Sequence, residues 1–416
     1  MQRRSESSAT DRMRPGSRRM IAKPTRLGAS WRVFSRRSAH ATSKNRIALA
    51  LARHPPRLDL TESNPTRTIL PYAHTELLRA LDNDAARRYE PDPHGLPEAR
   101  AAVVTRLKER GVSLSPDQIT LTSGTSEAYT FLFKLLCDAE DEVLVPQPSY
   151  PLFADLCRLE QINARPYPIH YDGEWHIGLS ELAATITKRT RAVLLVSPNN
   201  PTGSFLKRDE LSHLERLGLP LISDEVFSEY ALRPDPNRVA SALESKRALV
   251  FMLDGLSKQA GLPQWKLAWI CASGPANQVK KARARLELIA DTYLSVATPT
   301  QRALSELLAL SRPVQQTIHE RLKRNLAQLS TAVSNQAEVS LLDVEGGYYA
   351  TLRVPNVLSE EDWVLTLLEQ DSVHVQPGYF FDFASEAYLV VSLLTSEDTF
   401  DEGIEKLLGR VRAQLG

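Results

Sequence analysis

Between residues 119 and 289 the chain alternates short runs rich in β-branched residues and leucine with longer amphipathic stretches. This alternation is typical of an α/β protein, in which strands and crossover helices follow one another along the chain. The predicted strands are 119–122, 142–145, 192–196, 220–223, 249–253 and 267–271. The predicted helices between them are 127–137, 150–160, 179–186, 207–217 and 278–289. Ligands collect at the carboxyl ends of strands in such sheets, so the residues that follow the strands are the first candidates for a site.

A second, smaller α+β unit is predicted after Pro299. Its predicted helices are a long stretch, 300–334, and a further helix, 360–370. Its predicted strands are 339–344, 348–352 and 388–393. With 416 residues, of which 42% are hydrophobic, the chain is long enough for about two or three domains. The chain is predicted to begin with a basic, disordered extension, 1–32, and a segment that packs with the small domain, 33–75. A large domain, 76–310, and a small C-terminal domain, 311–416, follow.

Charge is distributed unevenly along the chain. The first 46 residues hold 13 Lys or Arg against two acids, which leaves 38 basic and 48 acidic residues in the remainder. A mildly acidic globule is a poor candidate for binding nucleic acid. The basic head is rich in Arg and Ser and lacks apolar periodicity, so a disordered extension from an upstream start codon is the favoured interpretation. A transit peptide and a nucleic-acid arm are the alternatives.

The cysteines and the apolar runs exclude several other classes. Cys137, Cys157 and Cys271 are odd in number and lack the spacing of a disulfide framework or a zinc site. No apolar run approaches the roughly 18–20 residues of a membrane helix. We therefore expect a cytoplasmic protein without a metal site and without a membrane or nucleic-acid partner.

The first polar cluster lies at 122–127, between a predicted strand and a predicted helix. It combines hydroxyls with Gly124, Thr125 and Ser126, and free backbone amides at a helix N-terminus suit a phosphate group. The alternative is a plain helix cap in which Glu127 completes a capping box.

Two further clusters follow neighbouring predicted strands. In the loop 197–203 two prolines fix adjacent asparagines, and the amide of Asn200 can donate to an oxygen anion. Asp224 ends the strand 220–223, where a buried carboxylate needs a partner to offset the cost of burial. Taken singly, the first is a bare turn and the second a helix cap.

The fourth cluster, 253–258, ends on Lys258 and also follows a strand. A lysine in that position can act as a nucleophilic amine with a lowered pKa. A solvated surface lysine is the alternative when the residue is considered alone.

Together and in this order, the four clusters resemble the fold-type I pyridoxal-phosphate enzymes, specifically the class I/II aminotransferases. The resemblance extends over about residues 33–412. It includes the motifs at 60–66, 89–97, 148–151, 345–348 and 376–378. It implies a large α/β/α domain with a mostly parallel sheet and a smaller α+β domain, with pyridoxal 5'-phosphate as the cofactor.

The resemblance also implies roles for single residues. Lys258 would carry the cofactor as an internal aldimine and then move a proton between the substrate Cα and the cofactor's C4′. Asp224 would pair with the pyridine nitrogen, and Asn200 would donate to the ring's phenolic oxygen. Tyr150 would stack on the ring, while Tyr89 would reach the phosphate of the neighbouring subunit, which implies a homodimer with shared active sites. The remaining residues expected to hold the phosphate are Gly124, Thr125, Ser126, Ser257 and Lys266.

Three departures from the family pattern concern the cofactor. Lys266 stands where the family has a phosphate-binding arginine, which keeps the charge but loses the bidentate geometry. Gly255 replaces a serine and removes one phosphate hydroxyl. Phe227 replaces a tyrosine whose hydroxyl would stabilise the ring phenolate, so we expect a higher pKa for the cofactor imine.

A fourth departure concerns the substrate. Val390 occupies the position of the family's carboxylate-binding arginine. Because an unpaired buried carboxylate is costly, another basic residue must substitute, or the substrate does not present its carboxylate there. Asn64 and Arg67 are the candidate substrate residues, with Arg353 as an alternative to Arg67.

The leading functional prediction is an aminotransferase that moves an amino group from an amino acid to a 2-oxo acid by a ping-pong reaction. A C–S β-lyase on the same fold is the first alternative, because one carbanion can partition either way. A non-catalytic protein with an aminotransferase-like fold is the second, and retention of Lys258, Asp224 and Asn200 disfavours it.

Overall fold

The structure is a computed structural model that describes residues 34–38, 44–334, 336–385 and 387–416. Residues 34–38 contain a single turn of 3-10 helix, Arg36–Ser38. The predicted extension, 1–32, lies outside the described residues. Within them, no helix has the length and apolar character needed to cross a membrane.

Helices account for much of the described chain from residue 44 onward. They are α1 (Arg46–Arg53), α2 (His74–Ala80), α3 (Pro97–Glu109), α4 (Thr125–Leu136), α5 (Phe153–Leu159), α6 (Leu179–Thr185), α7 (Arg208–Arg216), α8 (Leu256–Gln259), α9 (Ala276–Tyr293), α10 (Thr298–Leu310), α11 (Arg312–Ser334), α12 (Glu360–Asp371) and α13 (Glu397–Leu415). Helices α1 and α12 begin with a side-chain cap, since Asn45 and Ser359 each accept a backbone N–H of the first turn.

The strands are mostly short. They are β1 (Leu58–Asp59), β2 (Ile119–Thr122), β3 (Glu142–Gln147), β4 (Asn163–Tyr171), β5 (Trp175–Ile177), β6 (Thr190–Val196), β7 (Leu221–Asp224), β8 (Val250–Gly255), β9 (Ala268–Ser273), β10 (Ser340–Leu341), β11 (Tyr349–Arg353), β12 (Val373–His374), β13 (Gln376–Pro377) and β14 (Tyr388–Ser392).

A large sheet has the strand order β2-β9-β8-β7-β6-β3-β4-β5. Its central strands β8, β7, β6, β3 and β4 run parallel to one another, while β2, β9 and β5 pair antiparallel. The central strands are buried along their length because helices cover both faces of the sheet. The carboxyl ends of β6, β7 and β8 therefore lie side by side at one edge, with Val196 opposite Asp224 and Asp224 opposite Leu253.

Buried apolar residues form a core on each face of this sheet and a third core around a smaller one. Along β8, Val250 and Met252 face one core while Phe251 and Leu253 face the other, as the alternation of a strand requires. The smaller sheet has the antiparallel order β10-β11-β14-β13. Its core includes Leu60 from the N-terminal segment. The predicted domain boundaries stay a prediction.

Most of the predicted strands and helices are present, with two instructive differences. The predicted helical stretch 300–334 is two helices, because Pro313 is tolerated only in the first turn of a helix and α11 begins at Arg312. Strand β4 escapes prediction because it contains Pro166 and Pro168. The prolines are accommodated where β4 pairs with β3 alone, before it meets β5 at Ile169.

Candidate active site

The loops that follow β6, β7 and β8 converge on one cavity at the carboxyl edge of the large sheet. Asn200, Asp224 and Lys258 all line it, although they are far apart in the sequence. The other lining residues come from α4, α5, β11 and neighbouring loops: Ser63, Thr125, Ser126, Tyr129, Tyr150, Phe153, Leu156, Val196, Val226, Phe227, Gly255, Ser257, Ala268 and Tyr349. The register of the three parallel strands is the physical reason for this convergence.

One end of the cavity is suited to an anion. Thr125 and Ser126 form the first turn of α4, where backbone N–H groups have no partner within the helix. The ammonium nitrogen of Lys266 lies 3.3 Å from where a Cβ on Gly124 would stand, so a cation flanks this helix start. Absence of a side chain at Gly124 leaves the helix start open to a bound group.

Asp224 is a buried carboxylate beside the middle of the cavity. Its Oδ2 accepts a hydrogen bond of 2.7 Å from the hydroxyl of Tyr129, and its Oδ1 accepts one of 3.2 Å from the N–H of Val226. Burial raises the pKa of Asp224 to about 6, against the lowering effect of these two donors. The two donors hold the carboxylate in one orientation, ready for a cationic partner.

The amine of Lys258 lies in largely apolar surroundings. Its Nζ is 5.8 Å from the ring centres of Phe227 and Tyr348 and donates to the carbonyl of Ser63 at 3.4 Å. Burial lowers the pKa of Lys258, which increases the fraction of neutral, nucleophilic amine. The hydroxyl of Tyr230 donates to the Lys258 carbonyl at 2.8 Å and fixes the backbone beneath the amine.

The loop after β6 holds Asn200 in place through its neighbour Asn199. The Nδ2 of Asn199 donates to the Pro148 carbonyl and to the Thr202 hydroxyl, and its Oδ1 accepts from the Ser149 hydroxyl. The Oδ1 of Asn200 is buried and has no hydrogen-bond partner in the described residues. The oxygen can therefore accept a hydrogen bond from a bound group, while the Nδ2 of the same carboxamide is the donor that it offers.

Of the other predicted cofactor residues, some line this cavity, Gly124 and Lys266 lie beside it at the start of α4, and Tyr89 lies elsewhere. Ser257 and Tyr150 line the cavity, and the ring of Tyr150 packs edge-on against Phe153. Tyr89 is 75% exposed and lines a different surface depression, between the 89–95 segment and the end of α9.

The predicted substrate residues lie on the segment that follows β1. The carboxamide oxygen of Asn64 accepts from the N–H and the hydroxyl of Thr66, so it caps a short turn. The side chain of Arg67 is 74% exposed, and its guanidinium lies 3.8 Å from a carboxylate oxygen of Glu62. Val390 is fully buried in β14 and provides no charge.

Arg353, the alternative to Arg67, lies at the end of β11 away from the cavity. Its guanidinium contacts the ring and the hydroxyl of Tyr388. The cavity wall described above does not include it.

The model of the family described as aminotransferase class I and II matches residues 55–407. This match covers well over half of the chain. The chain belongs to the class I and II aminotransferase family.

Sequence relatives and solved structures agree with this assignment. A glutamate-pyruvate aminotransferase AlaA of Haemophilus influenzae is 25% identical over 327 residues, which cover 76% of this aminotransferase and 81% of the relative. An alanine aminotransferase of Mycobacterium bovis is 27% identical over 332 residues, or 76% of each chain.

An alanine aminotransferase structure from Pyrococcus furiosus is similar in fold, with a TM-score of 0.77 at 23% identity over 86% of this chain and 92% of that one. A mutant aspartate aminotransferase of Thermus thermophilus also gives 0.77 at 23% identity, over 91% and 100%. The predicted family, fold class and transaminase activity are confirmed.

The aminotransferase depends on pyridoxal phosphate, as its family does, and the cavity fits that group. The open helix start beside Lys266 suits the phosphate, and the buried carboxylate of Asp224 suits a ring cation. The carboxamide of Asn200 and the amine of Lys258 line the same space. The described residues therefore offer a partner for each polar group of the cofactor.

The structure gives a physical reason for one departure from the family pattern. A Cβ on Gly255 would lie 2.7 Å from the Cβ of Ala268 and 3.0 Å from the carbonyl of Leu267. Strands β8 and β9 approach too closely here for a side chain at position 255. The serine of the family pattern therefore does not fit this aminotransferase while Ala268 is present.

A buried ion network that the sequence analysis does not predict lies behind the site. The guanidinium of Arg110, just after α3, contacts Glu225 at 3.0 Å and Asp254 at 3.5 Å. Glu225 follows Asp224, and Asp254 precedes the turn to Lys258. Arg110 thus ties the ends of β7 and β8 together. The signal in the sequence is the pair of acids directly after two buried strands, since such acids need a buried cation.

Proposed function

We propose that Lys258, Asp224 and Asn200 are the working residues of an amino-group transfer from an amino acid to a 2-oxo acid. The observation that carries the proposal is their convergence on one cavity beside the open start of α4. Bound pyridoxal phosphate supplies the electron sink for the pair of electrons left on the substrate carbon.

Lys258 moves the proton in this scheme. Its amine is held in apolar surroundings that lower its pKa, so it accepts the proton that leaves the donor Cα. The Tyr230 hydroxyl keeps the Lys258 backbone fixed while the side chain swings. Asp224, oriented by Tyr129, holds the positive charge at the ring nitrogen and so maintains the electron sink.

The other residues orient the cofactor. Asn200 would donate its amide to the phenolic oxygen, and Tyr150 would cover the ring. The residues that would hold the phosphate are Gly124, Thr125, Ser126, Ser257 and Lys266. Tyr89, which is exposed and does not line the cavity of its own chain, would reach the phosphate of a partner subunit in a homodimer.

We also propose an amino donor class and a cellular compartment for the protein. The relatives are named for alanine and for glutamate with pyruvate, which makes small 2-amino acids the first donors to test. Arg67 is the candidate for the donor carboxylate, because it is exposed and follows the lining residue Ser63 on the same segment. The three free cysteines favour the reducing cytoplasm.

The test is the visible spectrum of the protein loaded with pyridoxal phosphate, recorded before and after single amino acids and then a 2-oxo acid. We expect a band that disappears with a donor and returns with the 2-oxo acid. Lys258→Ala should abolish the cycle, and Lys280→Ala, an exposed lysine on α9, should leave it unchanged. Release of pyruvate and ammonia without an acceptor would instead establish a β-lyase, and failure to bind the cofactor would contradict both.

A further inference from the structure

The donor end of the cavity is formed by the segment that follows β1. Lys258 Nζ donates to the carbonyl of Ser63, and the preceding residue is Glu62. The hydroxyl of Ser392, at the end of β14, donates to the Glu62 carbonyl at 2.6 Å. A strand of the smaller sheet therefore holds the backbone of Glu62, directly before the residue whose carbonyl accepts from the reacting amine.

Two charged side chains lie at this end, and the acid Glu62 is 22% exposed whereas Arg67 is 74% exposed. Lys258 is the one Lys or Arg among the described residues that line the cavity, and its amine serves the reaction itself. Asp224 is engaged at the ring end. Glu62 adjoins the lining residue Ser63 in the chain, and its carboxylate partly offsets the burial that lowers the pKa of Lys258. It also adds to the burial that raises the pKa of Tyr349 to about 12.

The charge of Glu62 is only partly compensated within the described residues. Its Oε1 accepts the N–H of Asn64 at 2.8 Å, which is a neutral partner. Arg67 lies 3.8 Å from Oε2, beyond hydrogen-bond distance, on a side chain that is largely in solvent. The strand that anchors this end carries the apolar Val390, so it adds no positive charge.

We propose that Glu62 is a specificity-determining residue that selects amino donors carrying a second, positively charged nitrogen. The inference rests on the proposed function and names the donor class for the same site. A half-buried carboxylate attracts a cationic side chain and repels an acidic one, and the effect is larger here than in bulk water. Glutamate, for which some relatives are named, should accordingly be a poor donor for this aminotransferase.

Three amino acids of equal chain length give the sharpest test: ornithine, norvaline and glutamate, which are cationic, neutral and acidic at the end of the side chain. The readout is the rate at which each one discharges the visible band of the loaded protein in a single turnover. We expect ornithine to react fastest and glutamate slowest, with at least about tenfold between them.

Glu62→Gln removes the charge and keeps an oxygen that can accept from Asn64. In this variant we expect ornithine to slow, glutamate to accelerate, and the two rates to approach that of norvaline. Glu369→Gln is the matched control, since it makes the same charge change at an exposed position on α12. Its donor order should equal that of the unmodified protein.

Arg67→Gln separates the two charged neighbours. If Arg67 holds the donor carboxylate, all three donors slow, and glutamate slows the most. The ratio of ornithine to glutamate should then rise, because Glu62 no longer has a cation beside it. A ratio that falls towards one in this variant would overturn the inference, since Arg67 would then set the preference.

Two further outcomes separate a failure of this inference from a failure of the proposed function. Equal rates for the three donors, or a donor order that survives Glu62→Gln, would overturn the inference while leaving transamination established. A band that responds to no amino acid would overturn the proposed function, and this inference with it.

Discussion

The two ends of the cavity are built in different ways. At the ring end, Asp224 and Lys258 follow buried strands of the large sheet, and each is held by a tyrosine hydroxyl. At the donor end, Glu62 and Arg67 lie on an irregular segment that is anchored to the smaller sheet. The ring end keeps the charges that the cofactor needs, whereas the donor end has lost the expected arginine. The chemistry of a cofactor constrains its surroundings more tightly than the choice of substrate does.

At the ring end, Asp224→Asn should cause the largest loss of activity. The variant keeps the shape of the side chain but removes the charge that would pair with the ring nitrogen. Loss of one partner from a buried charge pair should lower kcat/KM by about a hundredfold or more. Steady-state transamination measures the loss, and Asp209→Asn, an exposed acid at the start of α7, is the control. Retention of more than half of the activity would contradict the role given to Asp224.

The close approach behind the ring end is tested by Gly255→Ser. The added side chain meets Ala268 and should destabilise the fold by about 1–3 kcal/mol in chemical denaturation. Ala268→Gly, combined with it, should restore part of that loss by making room for the new atoms. If the double variant is no more stable than Gly255→Ser alone, the contact with Ala268 is not the cause.

Phe227→Tyr sharpens the comparison at the boundary of the two ends. A hydroxyl placed beside the ring would stabilise the ionised phenolic oxygen of the cofactor. We expect the pH at which the visible band titrates to fall by about one unit. A titration of the absorbance spectrum against pH gives the value, and an unchanged midpoint would mean that the hydroxyl does not reach the ring.

Tyr129→Phe has the smallest expected effect. Asp224 has a pKa of about 6 in the cofactor-free protein, so its carboxylate is ionised above that pH and protonated below it. Cofactor affinity should therefore fall as the pH drops through 6. Removing the Tyr129 donor raises the pKa of Asp224 and should shift this fall to higher pH, by about one unit or less. Tyr167→Phe, which removes another buried hydroxyl far from the cavity, should leave the midpoint unchanged.

The same contrast explains how much could be predicted from the sequence. The residues of the ring end follow strands with clear apolar patterns, so their order along the chain was sufficient to place Asn200, Asp224 and Lys258 together. Tyr129 and Arg110 were missed because their contacts join elements that are remote in sequence, and a tyrosine on a buried helix face looks like ordinary core. The sequence does not predict the break between α10 and α11 or the strand β4. Proline is tolerated in the first turn of a helix and at some positions of a strand, and these positions are known only once the element boundaries and strand partners are known.

The donor end was less predictable for a physical reason. Asn64 and Arg67 are predicted as substrate residues from their place in a motif, yet the carboxamide oxygen of Asn64 accepts a backbone N–H and caps a turn. Glu62 was in the same motif, but its importance depends on where the segment lies relative to Lys258. An irregular segment has no periodicity from which the direction of a side chain can be deduced.

The hydrogen bond from Ser392 to the Glu62 carbonyl has a consequence for how this protein can change over evolutionary time. It attaches the donor end to the smaller sheet and its own core, where Leu60 is also buried, while the cofactor residues belong to the large sheet. Mutations that repack the smaller core around Leu60 can therefore alter which donors fit, provided that they leave in place Phe227 and Tyr230, which belong to the same core beside Lys258. A lineage carrying this chain can acquire a new substrate and inherit the old catalyst intact.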